Sequence, residues 1–132
     1  MSGGTRRRVE ANRPWAAVMG YARAVRAGDV IEVAGTAPAD EQGRILHPGD
    51  VEAQTRAALR TIGEALRELG GSFEDVVRTR ILLADETRWE EAARAHGEVF
   101  ADVRPANTTV GGLRFIDPDI LVEIEVTAVI TG

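Results

Sequence analysis

The chain has 132 residues, of which 44% are hydrophobic, and a formal net charge of −5, so we expect one domain around one core. It contains no cysteine, which excludes thiolate catalysis, disulfides and cysteine-based zinc sites. All 16 basic residues are arginine, which excludes a lysine Schiff base. The two histidines, His47 and His96, are too few for a multi-histidine metal centre within one subunit. We therefore expect no metal.

The charge balance and hydropathy also restrict the partners. Nucleic-acid binders usually carry a basic surface, because neutralising phosphates dominates their affinity, and this chain is acidic. No segment approaches the ~18 consecutive apolar residues of a membrane span. The first 20 residues lack the apolar core of a secretory signal. We expect a cytoplasmic domain without a nucleic-acid or membrane partner.

The N-terminal third predicts an arm followed by a β-hairpin. Residues 1–13 are polar and include the run Arg6-Arg7-Arg8, which is typical of a weakly ordered, solvated arm. Residues 21–26 and 30–36 predict two strands, and Gly28-Asp29 between them predicts a tight turn.

A long amphipathic helix follows a loop. Residues 38–49 are rich in turn-forming residues and predict a loop, with a short strand over 44–46. Asp50 is placed to cap a helix over residues 51–69, and Gly70-Gly71 is placed to end it. Six apolar residues recur at helical spacing and predict its buried face: Val51, Ala58, Ile62, Ala65, Leu66 and Leu69.

The second half predicts another helix between strands. Residues 73–85 predict a strand with Val77, Thr79 and Ile81 on one face. Thr87 and Glu90 have the spacing of a capping box at the start of a second helix. The apolar stripe of that helix consists of Trp89, Ala92, Ala93, His96 and Phe100, and we expect His96 to pack there. Residues 108–115 and 121–130 predict the last two strands.

The element order ββαβαββ indicates an α+β domain over residues 1–132, with a mixed sheet and both helices on one face. The other face then carries Glu123, Glu125 and Thr127 among apolar neighbours. Association of subunits around a symmetry axis would bury such a face. Clefts at such interfaces are common ligand sites.

Three stretches resemble the RidA/YjgF family. Residues 20–25, Gly-Tyr-Ala-Arg-Ala-Val, are similar to its Gly-Pro-Tyr-Ser-Gln-Ala-Val, with Tyr21 at the tyrosine. Residues 34–38, Ala-Gly-Thr-Ala-Pro, are similar to its Ser-Gly-Gln-Ile-Pro. The family signature near the C-terminus resembles residues 104–110, Arg-Pro-Ala-Asn-Thr-Thr-Val, and then residues 121–129. The resemblance covers residues 18–130.

This resemblance implies a chorismate-mutase-like homotrimer with small-molecule pockets between subunits and no cofactor. The best-known branch of the family hydrolyses reactive enamines and imines to keto acids and ammonia. In that branch a glutamate on the last strand positions the attacking water, which implies a catalytic role for Glu123, with Glu125 as the alternative on the same face. The substrate-binding residues that the resemblance implies are Tyr21, Gly35, Thr36, Asn107 and Thr109.

The chain departs from the family pattern at one decisive position. Where the best-known branch has an arginine that binds the substrate carboxylate, this sequence has Asn107. A neutral amide lacks the fixed charge and the planar fork of a guanidinium. We therefore expect a substrate other than a simple 2-imino acid, unless Arg80, Arg104 or Arg114 replaces the missing arginine.

The second helix also departs from the pattern, because Ala93 and His96 stand where that branch has an asparagine one turn before an aromatic residue. The segment over residues 100–105 is shorter as well. Both differences predict an altered pocket wall.

Each candidate also has a purely structural interpretation. Tyr21 can be an interface aromatic residue, and Asn107 can bond a strand end. Glu123 can form an ion pair with Arg80 across the sheet, and Gly35 can serve only to let two backbones approach closely.

Three functions follow from these observations. The first is cofactor-free deamination of an enamine or imine, with Glu123 activating water. The alternative is a non-catalytic trimer that binds a small molecule or regulates a partner. A ribonuclease is the function least consistent with an acidic chain that lacks lysine and paired catalytic histidines.

Overall fold

The computed structural model describes residues 5–132 and contains a six-stranded sheet and two long helices. The strands are β1 (Arg6–Val9), β2 (Ala24–Ala27), β3 (Val30–Thr36), β4 (Val76–Leu83), β5 (Ala106–Val110) and β6 (Val122–Val129). The helices are α1 (Ala16–Met19), α2 (Val51–Glu68) and α3 (Trp89–Phe100). No helix in this part of the chain is long and apolar enough to cross a bilayer.

The sheet is mixed, with the strand order β1-β2-β3-β6-β4-β5. Neighbouring strands are antiparallel except β4 and β5, which are parallel and are joined through α3. Helices α2 and α3 pack against each other, and both contribute to the core. The predicted α+β class and the mixed sheet with both long helices on one face are confirmed.

The residues of β6 alternate between the two faces of the sheet. Its alternate residues Val122, Ile124, Val126 and Ala128 are buried beneath the helices. The residues between them are only half-buried, because no helix covers their side of the sheet. The uncovered face is where the candidate site lies.

Strand β1 adds to the predicted sheet. The sequence predicted a weakly ordered arm over residues 1–13, but residues 6–9 pair antiparallel with β2. Two side chains on the helix side hold the strand: Arg7 Nη2 donates to the carbonyl of Leu69 at 3.0 Å, and Val9 packs against the core. Residues 6–8 are all arginine, so the sequence does not show which side chains of β1 face the helices. The rest of the predicted arm includes residues 1–4, which lie outside the described residues.

Helix α2 has the ends and the buried face that the sequence predicted. The Asp50 carboxylate accepts a hydrogen bond from the Ala53 amide at 3.0 Å, and Gly70 adopts the left-handed conformation (φ 85°) beyond the last turn. Arg26 Nη1 also donates to the carbonyl of Leu69, at 2.8 Å, so a guanidinium binds the negative end of the helix. The six residues predicted to form the buried face are all buried.

The predicted capping box of the second long helix is wrong. Asp85 accepts hydrogen bonds from both the amide and the hydroxyl of Thr87, and a 3₁₀ turn therefore occupies Glu86–Arg88. Helix α3 begins after this turn, at Trp89, without a side-chain cap. Trp89 is 54% exposed, so the buried stripe begins one turn later than predicted.

A β-bulge changes the predicted faces of β4. The register with β6 shifts between Val76 and Arg78, which leaves Val77 as the extra residue. Val77 is 48% exposed, whereas Thr79 and Ile81, which were predicted to share its face, are buried. Alternation alone could not reveal the bulge.

The last two strands differ in how well they were predicted. Strand β6 lies within the predicted residues 121–130, but β5 begins and ends earlier than the predicted 108–115. At Gly111 the backbone passes so close to Glu86 that an added Cβ would lie 2.2 Å from the Glu86 Cβ. The predicted strand over residues 44–46 is reduced to an isolated bridge at Ile45.

A fully buried glutamine ties helix α2 to the start of β6. Gln54 Nε2 donates to the carbonyls of Leu46 (3.1 Å), His47 (3.3 Å) and Asp119 (2.8 Å). Gln54 Oε1 accepts from the Leu121 amide at 2.9 Å. Since buried polar backbone groups need partners, this single side chain fixes where the last strand enters the sheet.

We predict that Gln54→Leu lowers the free energy of unfolding by about 2–4 kcal/mol, because it leaves buried backbone groups without partners. The measurement is denaturant unfolding followed by circular dichroism. Gln42→Leu, in an exposed loop, is the matched control and should change stability by less than about 0.5 kcal/mol. Equal effects of the two substitutions would contradict the role assigned to Gln54.

Candidate functional site

A cavity of about 360 Å³ opens on the sheet face that the helices leave uncovered. Strands β3 and β6 contribute Ala34, Gly35, Glu123 and Glu125 to it. The segment around α1 contributes Arg13, Trp15, Met19 and Tyr21, and the remaining lining residues are Arg23, Ala37 and Ile116. A larger hollow of about 830 Å³ lies along β1 and β2, but it does not include Glu123. We therefore take the smaller cavity as the candidate site.

Gly35 lies against Glu123 because of an irregularity in the pairing of β3 with β6. The register shifts between Val33 and Thr36, and Gly35 sits within this shift. A Cβ at Gly35 would lie 3.0 Å from Glu123 Oε1. The absence of a side chain at this position therefore gives the carboxylate its space.

Glu123 is the candidate general base. Burial raises the pKa of its carboxyl group above the ordinary value, and the negative charge of Glu125 acts in the same direction. The positive charge of Arg23 lowers the pKa and partly offsets both effects. A carboxylate with a raised pKa is a stronger proton acceptor than an ordinary one.

Glu125 is not equivalent to Glu123, although both line the cavity. Arg80 Nη1 donates to Glu125 Oε1 at 2.9 Å. The sequence had offered this arginine as a partner for Glu123, but the pairing of β4 with β6 places Arg80 opposite Glu125. Glu123 consequently has no arginine or histidine within salt-bridge distance among residues 5–132.

Tyr21 is held at the wall of the cavity. Gly20, with a left-handed backbone (φ 75°), ends α1 just before it. Trp15 Nε1 donates to the Tyr21 hydroxyl oxygen at 2.8 Å. Because the oxygen is used as an acceptor, the hydroxyl proton is available for a ligand.

Arg23 is a buried cation in the same cavity. It is 4% exposed, and its Nη1 donates to the Gly35 carbonyl at 3.0 Å and to Thr36 Oγ1 at 3.2 Å. Its guanidinium carbon lies 5.9 Å from the centroid of the Tyr21 ring. Burial lowers the pKa of Arg23, but an arginine side chain stays protonated in proteins.

Thr36 supports Arg23 instead of lining the cavity. It is fully buried, and its hydroxyl donates to the Ala34 carbonyl at 2.8 Å while it accepts from Arg23. Of the residues that the resemblance implied, the structure therefore brings Tyr21, Gly35 and Glu123 together in one cavity and places Thr36 behind it.

Asn107 and Thr109 lie elsewhere in the subunit. Asn107 Nδ2 donates to Thr79 Oγ1 at 2.9 Å, and Thr109 Oγ1 donates to Asn107 Oδ1 at 2.9 Å. The Thr79 hydroxyl also bonds His96 Nε2 at 2.9 Å. Burial lowers the pKa of His96. This chain of bonds lies on the helix side of the sheet, so within one subunit Asn107 does not face Glu123.

The arginines that the sequence offered as replacements do not line the cavity. Arg80 is paired with Glu125, and Arg104 and Arg114 are exposed. Sequence reasoning overlooked Arg23, although there was a signal: it stands where the resembling family pattern has glutamine. Among residues 5–132 there is also no group of three or more His, Cys, Asp or Glu side chains that could hold a metal ion.

Comparison with known proteins finds a matching family model and similar chains. The model of the family described as endoribonuclease L-PSP matches residues 10–130. An uncharacterized protein of Streptomyces coelicolor is 43% identical over 122 residues, which are 92% of this chain and 90% of that protein. The 3-aminoacrylate deaminase RutC of Acinetobacter baylyi is 36% identical over 104 residues, covering 79% of this chain and 82% of RutC.

A solved structure shows the same fold. It is a member of the YjgF/YER057c/UK114 family from Mycobacterium tuberculosis, with a TM-score of 0.84 and 39% sequence identity. The match covers 96% of this chain and 100% of that chain.

The raised pKa of Glu123 predicts a pH-dependent effect on stability. A carboxyl group whose folded pKa exceeds its unfolded value stabilises the fold most below the unfolded pKa, and this contribution is lost as pH rises through the folded pKa. We therefore expect Glu123→Gln to be more stable than the wild type at pH 7, with the difference shrinking as the pH is lowered to 4. The measurement is the free energy of unfolding in urea at both pH values, with Glu41→Gln in an exposed loop as the control. A Glu123→Gln protein less stable at pH 7 would contradict the assigned burial cost.

Proposed function

The chain belongs to the RidA/YjgF family, which the endoribonuclease L-PSP model describes, and on this premise we propose that it hydrolyses an enamine or imine to a carbonyl compound and ammonia. The observation that carries the proposal is the Glu123 carboxylate, unpaired and with a raised pKa, in a cavity with the Tyr21 hydroxyl. No cofactor takes part in the proposed reaction. The RutC relative is a deaminase of an enamine, 3-aminoacrylate, according to its name.

The proposed reaction uses Glu123 as a base and then as an acid. The substrate reacts as the protonated imine, which an enamine forms by taking up a proton at carbon. The water oxygen bonds to the imine carbon while Glu123 accepts one water proton, which gives a carbinolamine. Glu123 gives this proton to the amine nitrogen and then accepts the hydroxyl proton as the carbon–nitrogen bond breaks and the carbonyl forms; the released ammonia takes that proton from Glu123 and leaves as ammonium. Tyr21 donates a hydrogen bond to the reacting molecule.

The proposed pocket lies between subunits of a homotrimer. Glu123 and Tyr21 belong to one wall, and Asn107 and Thr109 of a neighbouring copy form the other. Two observations support this arrangement: the cavity is open on the uncovered sheet face, and Asn107 lies on the edge strand β5 with an exposed surface. Exposed apolar side chains near α1 and on the loop before β6 supply surface for such a contact: Val18, Met19 and Ile116.

The substrate we propose is not a simple 2-imino acid. Asn107 offers a neutral amide at the position where the resembling branch has an arginine. Without the charged, bidentate bond of that arginine, the affinity for a carboxylate would be lower by about 10- to 100-fold. Asn107 and Thr109 instead present polar uncharged groups to the part of the substrate that faces β5.

The alternative is a trimer that binds a small molecule without converting it, since the same cavity would serve both functions. It differs in having a saturable ligand and no product. We do not propose RNA cleavage, because a formal net charge of −5 opposes binding to a phosphate backbone.

We predict that Glu123→Gln lowers ammonia release from 3-aminoacrylate, an enamine that is not a 2-imino acid, by about 10²–10⁴-fold, because the amide cannot accept the proton. The control is Glu41→Gln, which should match the wild type. Circular dichroism and size-exclusion chromatography show whether each variant is folded. Unchanged turnover by a folded Glu123→Gln protein would contradict the mechanism, and saturable binding without turnover by the wild type would favour the alternative.

A second substitution tests the position of the Glu123 carboxylate. Gly35→Ala places a methyl group 3.0 Å from Glu123 Oε1, so we expect kcat to fall about tenfold as the carboxylate is displaced. Gly97→Ala is the matched control, because a Cβ at this helical position meets no atom within 4 Å. It should keep full activity and gain about 0.5–1 kcal/mol of stability. Full activity of Gly35→Ala would show that the carboxylate position is not critical.

A further inference from the structure

Two arginines share the Glu123 cavity without a carboxylate partner. Arg13 and Arg23 both line it. Neither forms a salt bridge with an Asp or Glu of residues 5–132, although seven other arginines in the described chain do. The positive charge of Arg13 also lowers the pKa of Arg23, so the two charges are close enough to repel each other.

A buried charge without a partner is costly. Arg23 is 4% exposed, and removing a guanidinium from water costs several kcal/mol unless an opposite charge or hydrogen bonds compensate. The protein supplies two neutral acceptors through Gly35 and Thr36. Both bond the same nitrogen, Nη1, and the Tyr21 hydroxyl also acts on the guanidinium as a hydrogen-bond partner, so uncharged groups hold Arg23 and no carboxylate neutralises it.

The protein's own carboxylates do not complete this site. Glu125, also in the cavity, is bound by Arg80. Glu123 acts on Arg23 through its charge but makes no ion pair with it at 4.0 Å or less. On its far side Arg23 lines a small acidic cleft that includes Glu64 and Glu68, and neither of these residues pairs with it.

We propose that Arg23, assisted by Arg13, binds a carboxylate group of the substrate in the Glu123 cavity. This inference rests on the proposed function and adds to it a specificity-determining residue for the acidic group of the substrate. That group lies on the wall that β3 and the segment before β2 build, in the same subunit as Glu123. The reacting carbon lies between that group and Glu123.

The geometry also explains why the substrate class differs from a simple 2-imino acid. In the resembling branch the arginine that binds the substrate carboxylate stands at the position of Asn107, which belongs to β5. Here the cation is Arg23, just before β2, next to Gly35 and the Tyr21 ring. A carboxylate bound there approaches Glu123 from another side, so the distance between the acidic group and the C=N carbon is set by Arg23.

The test measures the affinity of two matched carbonyl compounds that differ in charge, 4-oxopentanoate and 4-oxopentanamide, by calorimetry on the whole protein. The wild type should bind the carboxylate at least about tenfold more tightly than the amide. In Arg23→Gln this ratio should fall close to one through weaker binding of the carboxylate, and in Arg13→Gln by about threefold. Arg26→Gln is the matched control: it removes a part-buried arginine of β2 that bonds the end of helix α2, and the ratio should stay unchanged.

Several results would overturn the inference. One is a carboxylate preference that survives in Arg23→Gln. Another is an equal loss of preference in Arg26→Gln. Inorganic phosphate that competes as well as 4-oxopentanoate would also overturn the assignment of a carboxylate.

Ammonia release measured in parallel separates this inference from the proposed function. Turnover that depends on Glu123, combined with no effect of Arg23→Gln on the ratio, rejects the inference alone. A ratio that changes as expected, combined with no turnover by the wild type, rejects the proposed hydrolysis and supports the anion site.

Discussion

The antiparallel pairing of β3 with β6 is the interaction on which the rest of the structure depends. The two strands occupy the centre of the sheet, and their helix-side residues form much of the core. The irregularity between Val33 and Thr36 then turns Gly35 towards Glu123 on the other face. One pairing therefore supplies both the stability of the domain and the floor of the cavity. Gln54 reinforces it from the helix layer, because its bond to the Leu121 amide fixes the start of β6.

The second constraint is electrostatic. The cavity contains one unpaired carboxylate, Glu123, and two guanidiniums without carboxylate partners, while Glu125 is neutralised by Arg80. Burial favours the protonated form of Glu123, and Arg23 opposes this effect. The protein thus keeps a base whose pKa is raised but limited by a fixed charge. In such an arrangement the charge that binds a substrate anion also tunes the group that activates water.

Much of the fold could be predicted from the sequence, because the relevant patterns were regular. The alternation in residues 121–130 and the helical spacing after Asp50 correspond to β6 and α2. The errors arose where a local hydrogen bond or a strand irregularity overrode the pattern. Asp85 took the hydrogen bonds of Thr87 and removed the predicted capping box. A bulge at Val77 shifted one face of β4, and neither feature changes the hydrophobic pattern.

The candidate site was only partly predictable. Tyr21, Gly35 and Glu123 were found from the resemblance, and the structure brings them together. The burial of Thr36 and the direction of Asn107 depend on long-range contacts that a single sequence does not display. Arg23 was overlooked because it falls in the strand predicted over residues 21–26, where an arginine is usually solvated; the observed strand begins at Ala24. The cost of burying Arg23 becomes evident only when the structure shows that no Asp or Glu of residues 5–132 lies within salt-bridge distance of it.

The central claim is that Glu123 of one subunit and Asn107 of another form one site, and mixing two variants tests it most directly. Glu123→Gln and Asn107→Ala are each purified, shown to be folded, and assayed for loss of ammonia release. They are then unfolded together in equal amounts and refolded. If the two residues act across subunits, random assembly creates complete sites in about a quarter of positions, and activity returns to that fraction of the wild type. Mixed assemblies that stay inactive, or an Asn107→Ala protein with full activity alone, would contradict the claim.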